Sequence, residues 1–113
     1  MMTFRHAVAV GVDSTIMGSG PVPATQKILK RTGMKISDFD ILEVNEAFAV
    51  VVTYWIREMK ATPEDIAKIN PNGGAIAIGH PLGMTGARQT CVIARYLQRT
   101  GGRFGLATLC VGG

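Results

Sequence analysis

A run of glycines and small apolar residues, Asn72 to Arg88 with the sequence NGGAIAIGHPLGMTGAR, limits how this chain can fold. Its glycines tolerate positive φ angles and let the backbone lie close to a ligand or another segment. The apolar run Ala75 to Ile78 should be buried. His80 follows it and should be partly buried, where an imidazole can act as a general base or oxyanion donor. A core histidine bonded to a backbone carbonyl fits this stretch equally well.

The composition favours one densely packed α/β domain covering residues 1–113. Hydrophobic residues make up 47% of the chain and charged residues only 18%, which argues against disorder. A small isolated domain needs a more polar surface than this. We therefore expect part of the apolar surface to meet another domain or subunit.

The net charge of +4 comes from cations that are scattered along the sequence. Without clusters or interleaved aromatic residues they do not predict a nucleic-acid face, so we expect no nucleic-acid partner. They would either attract a phosphorylated small molecule or simply keep the surface soluble. The first residues lack the pattern of a signal peptide and no apolar run reaches membrane-spanning length, so we expect a cytoplasmic protein without a membrane partner.

Apolar patterns and turn residues alternate in the order of an α/β fold. Asn45 should lie near the N-cap of the second predicted helix, which we expect to be largely buried, and Thr62 should cap the third with Asp65. Strands are predicted at residues 5–12, 41–44 and 104–110, and helices at about 23–32, 47–60, 62–69 and 87–98.

Asn45 and Cys110 each follow or end an apolar strand, so both could face one site at the carboxyl ends of the strands. Cys110 by itself is more typical of a small core residue. Beside His80, however, its thiol could be activated, and Gly112 and Gly113 could offer backbone N–H groups to an oxyanion. We assign Cys91, in mid-helix, to packing.

Other site classes find no support in the sequence. The glycines between Gly79 and Gly86 lack a following Lys-Ser or Lys-Thr, and no GxGxxG follows a strand, so a phosphate loop or dinucleotide site is not expected. The two histidines, His6 and His80, have no carboxylates at ligand spacing, and the two cysteines form neither a disulfide framework nor a CxxC metal site.

Four motifs in a fixed order resemble the C-terminal domain of the thiolases, the acetyl-CoA acetyltransferase and 3-ketoacyl-CoA thiolase family. They are MGSGPVPA at Met17 to Ala24, EVNEAFA at Glu43 to Ala49, NGGAIAIGHPLGMTGAR at Asn72 to Arg88, and GLATLCVGG at Gly105 to Gly113. The resemblance covers essentially the whole chain. It implies a thiolase-like C-terminal half, a mixed β-sheet flanked by helices, with the helix after His80 buried at its centre.

The resemblance also implies roles for four residues. Asn45 would hold a water that completes an oxyanion hole for the thioester oxygen. His80 would donate its Nε2 hydrogen to the same hole and help to activate a nucleophilic cysteine. Cys110 would be the acid/base that takes a proton from the acetyl α-carbon or returns it to the enolate. The N–H of Gly112 would contribute to a second oxyanion hole.

The implied activity is acyl transfer with reversible Claisen chemistry, in which acetyl-CoA and acyl-CoA give 3-ketoacyl-CoA and CoA. Coenzyme A thioesters would be substrates, with no metal or redox cofactor, and the intact enzyme would be a homo-oligomer of lipid metabolism or fatty acid β-oxidation. Biosynthetic and degradative thiolases share these motifs. A ketoacyl synthase relative is disfavoured, because those enzymes usually have a second histidine in place of this base cysteine.

The chain departs from the family pattern in what it lacks. The acylated nucleophilic cysteine belongs to the N-terminal half, and neither Cys91 nor Cys110 matches its position. The loop domain that covers the substrate is missing too, so the sequence resembles a fragment, a truncated reading frame or one part of a split enzyme. We therefore expect the chain alone to be inactive and to need a thiolase N-terminal half or another subunit. The alternative is an inactive remnant that binds acyl-CoA or a partner subunit.

Overall fold

The computed structural model describes residues 2–111 and consists of helices packed around a small parallel sheet. The sheet contains two strands in register from Ile41 opposite Gly105 to Val44 opposite Thr108. Short 3₁₀ turns occupy Ser14–Ser19 and Ile36–Asp38. The helices and strands, in chain order, are α1 (Pro21–Thr32), β1 (Ile41–Val44), α2 (Ala49–Glu58), α3 (Pro63–Ile66), α4 (Ala75–Ile78), α5 (Thr85–Thr100) and β2 (Gly105–Thr108).

Helix α1 has the start and stop signals that its sequence predicts. Prolines lie in its first turn, where a missing N–H costs no intrahelical bond. Gly33 ends the helix in the left-handed conformation at φ 71°, and its N–H donates to the carbonyl of Leu29. The helix begins at Pro21, two residues before the predicted start. Thr62 and Asp65 likewise form the predicted capping box of α3, although α3 is shorter than expected.

The core lies where β1 and β2 meet α1 and α2. All four residues of β1 are buried, and Trp55 of α2 is fully buried with its indole N–H donating to Thr25 Oγ1 at 3.0 Å. The Thr25 hydroxyl donates in turn to the carbonyl of Pro21 at 2.7 Å. This chain of bonds satisfies the polar end of the largest core side chain, as burial of an indole requires.

Helix α5 packs tightly against the sheet because β2 begins with a glycine. A Cβ at Gly105 would overlap the side chains of Ile93 and Ile41. The buried residues of α5 are Thr85, Gln89 and Ile93, which recur every four residues on one face. The helix after His80, expected to be buried, is thus buried on one face only in this chain. Cys91 lies on the other face and is exposed, so its assignment to packing was wrong.

The predicted strand at residues 5–12 is not formed. No described segment pairs with these residues, and an extended segment without a neighbour cannot form a ladder. Side chains from α1 bond this segment instead: Lys27 Nζ donates to the carbonyl of Ala9, and Arg31 Nη1 to that of Ala7. Val8 still packs against the core.

Two predictions of burial near the glycine-rich stretch were also wrong. In the single turn of α4 only Ala75 faces inward, so Ile76 is 67% exposed and Ile78 52% exposed. Helix α2 is buried only along the face that carries Val51 and Trp55, and it leaves other apolar side chains at the surface. Within residues 2–111, no helix is both long enough and apolar enough to cross a membrane.

Candidate active site

Asn45 and His80, 35 residues apart in sequence, meet at the carboxyl end of the sheet. The Asn45 N–H donates to the carbonyl of Thr108 at 3.0 Å, which extends the pairing of β1 and β2 by one residue. Its side-chain Nδ2 lies 3.2 Å from His80 Nε2. Asn45 is not the N-cap of α2, because the helix begins only at Ala49; Phe48 occupies the N-cap position and makes no side-chain cap bond.

The second nitrogen of the His80 ring contacts a buried hydroxyl. His80 Nδ1 lies 2.7 Å from Thr85 Oγ1, in the first turn of α5. The same hydroxyl lies 3.0 Å from the carbonyl of Pro81. Gly79, at φ 89°, makes the turn between α4 and His80 that no residue with a Cβ adopts easily. The imidazole is therefore held at both nitrogens and is half-buried.

Glu46 fixes the segment that carries His80. Its Oε2 accepts the backbone N–H of Ile76 at 2.8 Å, and its Oε1 accepts from Asn70 Nδ2 at 3.1 Å. The carboxylate lies directly against Gly74, where a Cβ would overlap it. Glycine at position 74 thus allows the carboxylate to reach the first turn of α4.

Asn70 continues the sheet with its side chain. Its Oδ1 accepts the Val44 N–H at 3.0 Å and its Nδ2 donates to the Val44 carbonyl at 2.8 Å. The backbone N–H of Asn70 donates to the carbonyl of Leu42 at 2.9 Å. Asn70 adopts a positive φ of 47°, which asparagine tolerates better than most residues. The end of β1, just before Asn45, is therefore held on both edges.

Cys110 lies two residues beyond β2, at the same end of the sheet as Asn45. It is a free, buried cysteine, and burial raises the pKa of its thiol above the ordinary value. Its Cβ lies near Gly20, at the start of α1. Within residues 2–111 no hydrogen bond joins the thiol to Asn45 or His80. The prediction for Gly112 lies outside the described residues.

A buried carboxyl, Glu43, lies behind the pair in the middle of β1. Desolvation raises its pKa to about 7, with Glu46 acting in the same direction and Arg88 opposing it. Gln89 donates to the carbonyl of Glu43 at 3.3 Å. Several polar atoms of this cluster have no hydrogen-bond partner among the described residues: Glu43 Oε1, Asn45 Oδ1, Gln89 Oε1, and Nε and Nη1 of Arg88.

Two cavities of the described chain lie away from the pair. A groove of about 430 Å³ runs beside Glu46 between α2 and α4, and an open cleft of about 1160 Å³ separates residues 2–8 from α5 and β2. Neither of these two cavities is lined by Asn45, His80 or Cys110.

The parallel sheet, with Asn45 and His80 meeting at its carboxyl end, is typical of α/β proteins that carry a site at that edge. Residues 1–113 match the family described as thiolase, C-terminal domain, over their whole length. The chain belongs to this family. The family resemblance seen in the sequence motifs and the thiolase-like α/β fold are both confirmed.

Three relatives illustrate the similarity. The chain is 53% identical over 109 residues to a steroid 3-ketoacyl-CoA thiolase of Mycobacterium tuberculosis, covering 96% of this chain and 26% of the relative. It is 52% identical over 102 residues to a beta-ketoadipyl-CoA thiolase of Pseudomonas putida, covering 90% and 25%. The structure of human mitochondrial 3-ketoacyl-CoA thiolase in complex with CoA superposes with a TM-score of 0.85 at 44% identity, covering 92% and 26%. The chain thus spans about a quarter of the length of these relatives.

Sequence reasoning brought Asn45 and His80 to one site but missed the residues that hold them. Thr85, Glu46 and Asn70 act through bonds to partners 5 to 30 residues away. No helical or strand period links such positions. Glu43 did leave a signal, since a carboxylate inside the apolar run of β1 is costly to bury without a reason.

Proposed function

We propose that this chain supplies the C-terminal part of a thiolase active site, acting on acetyl-CoA and acyl-CoA in reversible Claisen condensation and thiolysis. The observation that carries the proposal is the contact between Asn45 and His80, which brings a buried amide and an imidazole together at the carboxyl end of the sheet. Polar groups fixed in this way suit an oxyanion, because they need no rearrangement when negative charge develops.

Cys110 serves as the acid/base in this proposal. A raised thiol pKa keeps the proton on sulfur until a neighbouring group or the substrate favours its removal, so burial alone makes Cys110 a proton donor. In condensation its thiolate would take a proton from the acetyl α-carbon, and in thiolysis its thiol would return that proton to the enolate. The Gly112 N–H would serve the second oxyanion hole.

The nucleophilic cysteine would come from a thiolase N-terminal half or another subunit. The exposed apolar surface next to the candidate site supports such a partner, since Leu82, two residues after His80, is 86% exposed. Covering that surface would be favourable and would exclude water from the site. Homo-oligomeric assembly, a cytoplasmic location, the absence of metal or redox cofactors, and a role in β-oxidation remain predictions.

A chimeric enzyme tests the proposal. Residues 1–113 replace the matching segment of the beta-ketoadipyl-CoA thiolase from Pseudomonas putida, and CoA-dependent cleavage of acetoacetyl-CoA is measured for the chimera and for the chain alone. We expect an active chimera and an inactive isolated chain. His80→Ala should lower kcat by about 10²–10³-fold as an oxyanion donor, and Cys110→Ala by about 10²–10⁴-fold as an acid/base.

Cys91→Ala is the matched control, since Cys91 is an exposed cysteine outside the site. It should leave the rate unchanged. Thiolysis by the isolated chain that disappears in His80→Ala or Cys110→Ala would refute the need for a partner. A folded chimera as active with Cys110→Ala as without it would refute the role of Cys110.

The second candidate function is an inactive thiolase-like remnant that binds acyl-CoA or a partner subunit. The exposed apolar side chains favour it, because a binding surface needs no nucleophile. It predicts a folded but inactive chimera, together with binding of acyl-CoA or of a thiolase N-terminal half by the isolated chain. Isothermal titration with each ligand measures that binding.

A further inference from the structure

Thr85 is a fully buried threonine whose hydroxyl lies between His80 and the backbone. The oxygen is 2.7 Å from His80 Nδ1 and 3.0 Å from the carbonyl of Pro81. A hydroxyl has one hydrogen, so it can donate to only one of these two neighbours. Which neighbour receives that hydrogen determines whether Nδ1 carries a proton.

The Pro81 carbonyl decides the direction of the bonds. A carbonyl oxygen can only accept, so at 3.0 Å it takes the single hydrogen of the Thr85 hydroxyl, and Thr85 Oγ1 is left to accept from His80 at 2.7 Å. The neutral ring of His80 therefore carries its hydrogen on Nδ1 and a lone pair on Nε2. The Asn45 amide lies 3.2 Å from Nε2, which carries that lone pair.

We propose that Thr85 is a positioning residue that holds His80 in the Nδ1–H tautomer and so keeps the Nε2 lone pair as the proton acceptor of the site. The tautomer of a histidine is set by the bond that its other nitrogen makes, and Thr85 supplies that bond. The hydroxyl is fully buried and acts through its contact with His80.

The consequence for the reaction rests on the thiolase function proposed above. When the nucleophilic cysteine of the partner is activated, its S–H bond breaks and the proton moves to His80 Nε2. The resulting imidazolium carries hydrogens on both nitrogens. It then donates Nε2–H to the thioester oxygen while Nδ1–H remains bonded to Thr85. Thr85 thus holds the ring while His80 first accepts a proton and afterwards donates a hydrogen bond.

The tautomer can be measured by ¹H–¹⁵N NMR of the imidazole nitrogens in the 113-residue chain under alkaline conditions, where imidazoles are neutral. His6, the other histidine, is exposed and serves as an internal reference. We expect His80 to be mainly the Nδ1–H form. Thr85→Val should lower the ratio of Nδ1–H to Nε2–H by about 2- to 12-fold, the range for one lost hydrogen bond. Thr85→Ser should retain the ratio.

Thr90→Val is the matched control, because Thr90 lies on the same helix and its hydroxyl donates to the carbonyl of Gly86, away from His80. It should leave the His80 tautomer unchanged. Should Thr85→Val fail to fold, Thr85→Ala removes the same hydroxyl with less change in shape. An Nε2–H form in the unaltered chain, or an unchanged ratio in a folded variant without the hydroxyl, would overturn the proposal. The NMR measurement is made on the 113-residue chain itself. An inactive chimera would therefore count against the proposed thiolase function but not against the role of Thr85.

Discussion

Replacing Glu43 by glutamine should stabilise the chain at neutral and alkaline pH. Glu43 is buried in β1, and desolvation raises its pKa from 4.5 to about 7. A carboxyl with a raised pKa binds its proton more tightly in the folded chain than in the unfolded chain. Its favourable contribution is therefore complete below pH 4.5 and is lost as pH rises to about 7.

The size of the effect follows from the shift. The difference between 4.5 and about 7 corresponds to about 3 kcal/mol of unfolding free energy, at about 1.4 kcal/mol per pKa unit. Glutamine has nearly the same shape as the neutral acid and cannot ionise. Glu43→Gln and the unaltered chain should thus be about equally stable near pH 4.5. Above pH 7 the variant should be more stable by about 3 kcal/mol.

Urea unfolding at a series of pH values measures this difference. Trp55 is the single tryptophan and is fully buried, so its fluorescence reports unfolding directly. Equal slopes of free energy against urea would show that both chains expose the same surface. Glu58→Gln, at a surface position whose ion pair with Arg57 is exposed, is the control and should change stability little at any pH.

A contrary result would show which interaction controls the ionisation of Glu43. If Glu43→Gln lowers stability above pH 7, the ionised carboxylate is stabilised by Arg88 more strongly than burial destabilises it. The raised pKa would then be wrong. If the variant is less stable by the same amount at all pH values, the carboxyl group acts through packing and hydrogen bonds alone.

Two further predictions concern bonds that position the sheet and the site. Gly74→Ala should displace the carboxylate of Glu46 and lower stability by about 1–3 kcal/mol, measured by urea unfolding. Gly86→Ala is the control: a Cβ there meets nothing within 4 Å and lies in helix α5, so the change should leave stability unchanged or raise it by up to about 1 kcal/mol. Equal losses at the two positions would contradict the close contact at Gly74. Asp40→Ala should cost about 2 kcal/mol at neutral pH, because the carboxylate accepts the N–H groups of Arg103 and Phe104 at 2.7 and 2.9 Å. Those bonds lower the Asp40 pKa, so the cost should shrink as pH falls below 3.8; a cost independent of pH would refute their electrostatic origin.

Local chemistry determined the parts of the fold that the sequence predicted. Gly33 ends α1 because a glycine in the left-handed conformation satisfies the last carbonyls, and Thr62 starts α3 because its hydroxyl accepts the N–H of Asp65. The short run Ile41–Val44 is mostly apolar, so its burial as a strand was expected, and all four of its residues are buried. The motifs around Asn45, His80 and Cys110 indicated the family, and the family match confirms it.

Tertiary structure decided whatever depends on neighbours that are distant in sequence. Residues 5–12 have the composition of a strand but find no pairing partner among the described residues, and Ile76 is apolar but has no segment packed over it. The chain spans about a quarter of its relatives' length, so such neighbours need not lie within it. His80 was visible as a candidate from its glycine-rich setting alone. Its bonds to Asn45 and Thr85 were not, because only the folded backbone brings those two side chains to opposite nitrogens of one ring.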